Sequence, residues 1–142
     1  MYRIKKTENI SQISEIITKL PEFTHKTTDQ EISDRIEGKD HDLLIIQDDG
    51  KPAGFLVAYD LDEKTYYNWI MGVLPEFRRK GFGRKLIKQF ESFARERGYT
   101  SVQVKTMDKF KEMQHLLAGL KYEKIGHDDK GKIILRKNSD FG

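Results

Sequence analysis

Apolar residues recur at three- and four-residue steps early in the chain, at Ile10, Ile13, Ile16, Ile17 and Leu20. That spacing puts them on one face of a helix and predicts a first helix from about Ile10 to Leu20. Asn9 and Gln12 have the form of a capping box, and Pro21 stops the run. Thr28 and Glu31 repeat the signal for a shorter helix carrying Ile32 and Ile36, with Gly38 suited to its C-terminal end. From Leu43 the period changes. Leu43 to Ile46 is a continuous apolar strand, Asp48-Asp49-Gly50-Lys51 is a hairpin turn, and Gly54 to Tyr59 is the paired strand. A third strand, Tyr66 to Val73, follows the acidic turn of Asp60, Asp62 and Glu63. Strict alternation there places Tyr67, Trp69, Met71 and Val73 on one face and Tyr66, Asn68 and Ile70 on the other.

Gly83 to Arg97 carries the clearest helical stripe, formed by Leu86, Ile87, Phe90, Phe93 and Ala94, and Gly98 ends it. Ser101 to Lys105 is a strand with Val102 and Val104 alternating. A helix is expected over about Asp108 to Leu120, with Phe110, Met113, Leu117 and Leu120 on one side. Tyr122 to Gly126 and Lys132 to Lys137 then pair across a turn at Lys130-Gly131. With a short strand ahead of the first helix, the order is β-α-α-β-β-β-α-β-α-β-β. This is an α/β domain with a mixed central sheet flanked by helices. A length of 142 residues suits one domain, assigned to residues 1–137, with 138–142 as a polar tail.

Composition narrows the function classes. The 8 Phe, 6 Tyr and 1 Trp are too many aromatics for a disordered chain. With no Cys, disulfides, thiolate zinc sites, iron–sulfur clusters and a cysteine nucleophile are excluded. Against 26 Lys and Arg stand 23 Asp and Glu, and the net +3 is too small to point to nucleic acid. No stretch of about 18 apolar residues suggests a membrane span. Met1 to Lys6 lacks the apolar run of a secretory leader. A soluble cytoplasmic protein is expected. His41, His115 and His127 show no metal-ligand spacing, so no metal is assigned.

The segment that carries chemistry is Val73-Leu74-Pro75-Glu76-Phe77-Arg78-Arg79-Lys80-Gly81-Phe82-Gly83-Arg84, which joins a strand to the strongest helix. Glycines at such a turn let backbone approach a ligand closely. The helix start offers unpaired N–H groups and a partial positive charge, the setting that binds phosphate. Arg78, Arg79, Lys80 and Arg84 add full charges, so a pyrophosphate is the best-suited ligand. The dinucleotide fingerprint fails, because Leu86 stands at its third glycine, and no Walker sequence occurs. A plain turn with a solvated basic helix face is the competing reading.

Val73-x-Pro75-x-Phe77-Arg78-x-x-Gly81-x-Gly83-x-x-Leu86 resembles the acetyl-CoA signature of the GNAT N-acetyltransferase superfamily. The element order is similar to that fold from Tyr2 to about Lys137. The resemblance implies an acetyl-CoA-dependent N-acetyltransferase that acts on a primary amine by direct attack in a ternary complex. It implies acetyl-CoA as co-substrate. Arg78, Arg79, Lys80, Gly81, Phe82, Gly83 and Arg84 would hold the CoA pyrophosphate. Met71, Gly72 and Val73 would pair with the pantetheine arm where their strand splays from Ser101–Lys105, and a backbone N–H there would polarise the thioester carbonyl. The helix starting near Asp108 would border the far side of the cofactor. The partners implied are acetyl-CoA and an amine, not nucleic acid or membrane, and the fold is compatible with a homodimer.

Two departures bear on proton transfer. Family members often end this region with Tyr-x-x-x-Gly-Phe, whose Tyr protonates the leaving thiolate. Here the run is Leu117-Ala118-Gly119-Leu120-Lys121-Tyr122, with Leu117 in the Tyr place. The basic Glu of histone-acetylating members falls at Tyr67. A thiol of pKa ~8.5 leaves tolerably without an acid, but a lysine-like amine of pKa ~10.4 is neutral about once in 2,500 molecules at pH 7. A base is typically worth about 10²–10⁴-fold, so one is expected. Tyr67 ranks first, ahead of Tyr66, Glu63 and His25, and needs a lowered pKa or a relaying water. Tyr66, Tyr67 and Trp69 could shape an acceptor pocket or simply pack the sheet. Glu22 and the acidic turn could attract a cation or sit in water. A non-catalytic acyl-CoA sensor and a nucleic-acid-binding domain using Arg78, Arg79, Lys80, Arg84, Lys85 and Lys88 are the rival readings.

Overall fold

The computed structural model describes residues 1–138. Its elements follow the expected order: β1 (Tyr2–Lys6), α1 (Ile10–Thr18), α2 (Asp29–Ile36), β2 (His41–Asp48), β3 (Lys51–Asp60), β4 (Thr65–Val73), α3 (Phe82–Glu96), β5 (Ser101–Thr106), α4 (Lys111–Gly119), β6 (Glu123–His127) and β7 (Ile133–Asn138). One 3₁₀ turn, Pro75–Phe77, lies between β4 and α3. The strands form one mixed sheet in the order β1-β2-β3-β4-β5-β7-β6, and β4–β5 is its parallel pair. Asn138 pairs with Ser101 in β7, and residues 139–142 of the expected tail lie outside the described residues.

Helices cover both faces, which is why β2 and β3 read as continuous apolar runs. Ile13, Ile16, Ile17 and Leu20 pack with Ile32 and Ile36 on one face, over Leu43, Ile45, Phe55 and Val57. On the other face Phe82, Leu86, Ile87, Phe90 and Ala94 pack over Leu44, Leu56, Ala58, Val102 and Val104. Burying a side chain of this size is worth roughly 1.5–3 kcal/mol, so the two clusters hold the sheet between its helix layers. Among the described residues no helix is long and apolar enough to cross a membrane.

Three expectations need correction. The Thr28–Glu31 capping box forms, but Asn9 accepts from Ser11 N–H at 3.1 Å while Gln12 bonds the Thr7 hydroxyl at 2.7 Å, so no box closes there. The last helix begins at Lys111 and not at Asp108, because residues 107–110 close a turn, with Phe110 N–H donating to Met107 O at 3.0 Å. Third, alternation in β4 breaks. Ala58 pairs with Asn68 and Val57 with Ile70, so Trp69 is an extra, bulged residue. Beyond it the faces exchange. Met71 and Val73 join Tyr66 on the α3 side, and Ile70 joins Tyr67 and Trp69 on the α1 side.

Candidate functional site

The same bulge ends the β4–β5 pairing. Parallel register runs from Thr65↔Ser101 to Asn68↔Val104 and stops, although β4 continues to Val73 and β5 to Thr106. The two strands open into a wedge with its apex at Asn68. Leu74 N–H points the other way, donating to Ala53 O at 2.8 Å. Alternation along the strand therefore turns the Met71 and Val73 amides into the wedge, where no strand meets them. An extended chain carrying its own amides is what such an edge accepts. Gly72 faces the helix layer instead: a Cβ there would lie 2.7 Å from Leu20 Cδ1, so its glycine is required by packing.

Beyond the wedge the chain turns through Pro75–Phe77 into α3. Arg79 and Gly81 adopt left-handed backbone, at φ 67° and 77°, and Gly81 caps the helix with no side-chain bond to its N–H groups. Among the described residues no acceptor takes the N–H groups of Arg79, Lys80, Gly81, Phe82, Gly83 or Arg84. These six successive donors open a helix whose dipole favours an anion. Gly83 has ordinary helical backbone, and a Cβ would meet Leu116 Cδ2 at 3.6 Å and Met71 Cε at 3.8 Å, an ordinary contact. Nothing in the packing around this position requires glycine at 83. On these grounds the turn fits a diphosphate.

The cations beside the turn are not equivalent. The Arg78 guanidinium pairs with Glu22 and donates to Val73 O at 3.0 Å, tying the loop after α1 to the turn. Lys80 pairs with Asp48 at 2.9 Å, and this bond holds the Asp48 carboxyl below the usual carboxylate range. Arg79 and Arg84 make no ion pair among the described residues. Asp108 is exposed in the turn before α4, where its carbonyl accepts from Gln114 at 2.9 Å.

The proton-transfer candidates separate clearly. Tyr66 is locked at the far end of β4: its hydroxyl donates to Asp42 at 2.6 Å, and Arg97 holds Asp42 through two bonds of 2.8 Å. Glu63 lies on an exposed turn beside an open depression of about 840 Å³ at the opposite end of β4 from the wedge. His25 is exposed, its Nε2 2.9 Å from Glu31. Tyr67 differs: its ring is buried against Tyr59, edge-on with centroids 5.4 Å apart, while its hydroxyl has no hydrogen-bond partner among the described residues. Burial pushes the Tyr67 phenol well up, opposite to what a phenolate base needs. Trp69 is half-buried with the Arg35 guanidinium 4.5 Å from its ring centroid. Leu117 is sealed in the core at 0% exposure and brings no polar atom to the wedge.

The structure thus brings Met71 beside Gly83 at the start of α3, with Tyr67 packed on the α1 side of the sheet and Asp108 exposed in the turn before α4. One residue was missed in sequence and another was read in a different role. Glu22, read as attracting a cation or sitting in water, grips Arg78 instead, and its other oxygen, Oε1, is buried with no partner among the described residues. Asn68 stands at the wedge apex, and a lone amide inside a strand covered on both faces was the signal available for it.

A profile of the acetyltransferase (GNAT) family matches residues 10–121. Among curated proteins, none matches the chain in sequence. Of solved structures, the ribosomal-protein-S18-alanine N-acetyltransferase of Escherichia coli superposes with a TM-score of 0.83 at 15% identity, covering 100% of this chain and 96% of that one. The PaiA N-acetyltransferase of Thermoplasma acidophilum, in complex with coenzyme A, gives 0.82 at 14% identity over 97% and 99%. A GNAT family acetyltransferase of Elizabethkingia anophelis with acetyl-CoA bound gives 0.74 at 13% over 96% and 97%. These likenesses establish the fold, and with the profile spanning most of its length the chain belongs to the GNAT acetyltransferase family.

Proposed function

We propose that the protein transfers the acetyl group of acetyl-CoA to a primary amine by direct attack in a ternary complex. The row of unpartnered N–H groups from Arg79 to Arg84 carries this reading, because six aligned donors with two free guanidinium groups match one diphosphate. The wedge-facing amides of Met71 and Val73 take the pantetheine arm, and one of them polarises the acyl carbonyl. Asp108 borders the adenosine side from the turn before α4.

Acetyl-CoA supplies an activated acyl group on a good thiol leaving group. The amine nitrogen forms the new N–C bond as the C–S bond breaks, and the electron pair leaves on sulfur. Tyr67 holds its phenol neutral on the α1 side, so it passes the ammonium proton along as a hydrogen-bonding relay to water, donating one proton as it receives another. No full-time base is needed in that arrangement; the fraction of free amine sets the rate. Glu22 and Arg78 fix the loop after α1 against the wedge and so shape the mouth through which the amine enters.

Calorimetric titration with acetyl-CoA, followed by an amine screen that detects released CoA thiol, tests the proposal. Binding with turnover of amino acids, peptide N-termini, lysine peptides or polyamines supports it. Tight binding with no turnover across all four classes identifies an acyl-CoA sensor, and absence of binding removes both readings.

A further inference from the structure

Asn68 is the last β4 residue paired to β5, and its side chain points to the α3 side beside Met71. It is 1% exposed. Nδ2 donates to Met71 Sδ at 3.2 Å, a weak acceptor, and Oδ1 has no partner among the described residues. Leaving such an oxygen buried and unpaired destabilises the fold, a cost that a valine or leucine in the same strand would avoid. The neighbouring Met71 Sδ-methyl reaches the Cβ position of Gly83, so Met71 links Asn68 at the wedge apex to the start of α3. Leu117, in the place of the family's tyrosine, supplies no polar group there.

We infer that Asn68 is a positioning residue for the acetyl-bearing end of the coenzyme. An acetyl thioester has no hydrogen-bond donor of its own. The orphan carbonyl of Asn68 is therefore met by the amide N–H of the arm that lies nearest the sulfur. That bond fixes the thioester at the apex, where the β4 amides and Tyr67 converge from the other side. The inference rests on the acetyl-CoA reading above.

Asn68→Leu and Asn68→Ala test it, each measured by thermal melting without ligand and by calorimetric titration with two probes. Acetyl-CoA carries the arm; 3′-phosphoadenosine 5′-diphosphate carries the diphosphate without it. The expected result is that Asn68→Leu melts no lower than wild type, since an unpaired buried oxygen is removed. Both variants should bind acetyl-CoA about tenfold more weakly and the diphosphate probe as well as wild type does. Unchanged acetyl-CoA affinity overturns the inference, and so does an equal loss for both probes, which reports general damage. If wild type binds neither probe, the acetyl-CoA reading itself has failed, and the assignment of Asn68 falls with it.

Discussion

Gly83→Ala separates the needs of the fold from those of the ligand. The added Cβ would lie 3.6 Å from Leu116 Cδ2 and 3.8 Å from Met71 Cε, with neither clash nor strained backbone. Replacing glycine by alanine within a helix is worth up to about 1 kcal/mol, less in the first turn. A partly buried methyl adds a further fraction of about 0.8 kcal/mol. The variant should therefore be more stable by about 0.5–1 kcal/mol, which raises the melting temperature by roughly 1–4 °C. Binding moves the other way. The methyl stands over the N–H groups of the first turn and displaces one charge-assisted hydrogen bond to the diphosphate, worth about 1.5–3 kcal/mol. That corresponds to a Kd about 10–100 times higher. Melting scans and calorimetric titration with acetyl-CoA read both quantities on one preparation. Acetyl-CoA affinity within twofold of wild type would refute the close approach of ligand to this backbone.

Tyr67→Phe keeps the edge-on contact with Tyr59 and removes a hydroxyl that bonds nothing in the free protein, so melting should stay within about 1 °C while turnover of the best amine falls at least tenfold; equal turnover excludes Tyr67 from proton transfer. Leu117→Tyr adds volume at a fully enclosed position and should cost about 1–3 kcal/mol by chemical denaturation without raising turnover; a faster enzyme would show that Leu117 reaches the sulfur after all. Acid stability follows from carboxyls held below their ordinary range: Asp29 by the Ser11 and Ser14 hydroxyls, Asp62 by Lys64 N–H, and Asp128 by Lys132 N–H. A lowered folded value contributes stability above the unfolded value of about 3.9 that is lost as pH falls through the folded one. Unfolding free energy should thus be level with respect to these groups above about pH 5 and decline below about pH 4, less steeply in Asp128→Asn.

Local signals made most of the fold legible. The isoleucines of α1, the capping box of α2, the Asp49-Gly50 turn and the stripe of α3 each specify an element through contacts within a few residues, so each could be read in isolation. Gly81 likewise marked the turn into α3. What escaped depends on pairing across the sheet. The bulge at Trp69 arises from the register between β3 and β4, and no local pattern marks it, so the faces of Met71, Val73 and Ile70 were exchanged. The same long-range register places Asn68 at the wedge apex. Glu22 and Arg78 lie 56 residues apart, and only the loop after α1 folding onto the turn brings them together. The rise in the Tyr67 phenol is also a burial effect, set by Tyr59 and the α1 layer, and therefore invisible from its position on the strand alone.

A crystal structure grown with coenzyme A would decide where the diphosphate binds. Both phosphates should lie within hydrogen-bond distance of N–H groups between Arg79 and Arg84, with the arm running along Met71–Val73 to Asn68. A diphosphate lodged elsewhere, for instance in the depression beside Thr65 and Ser101, with those amides still unmet, would contradict that placement.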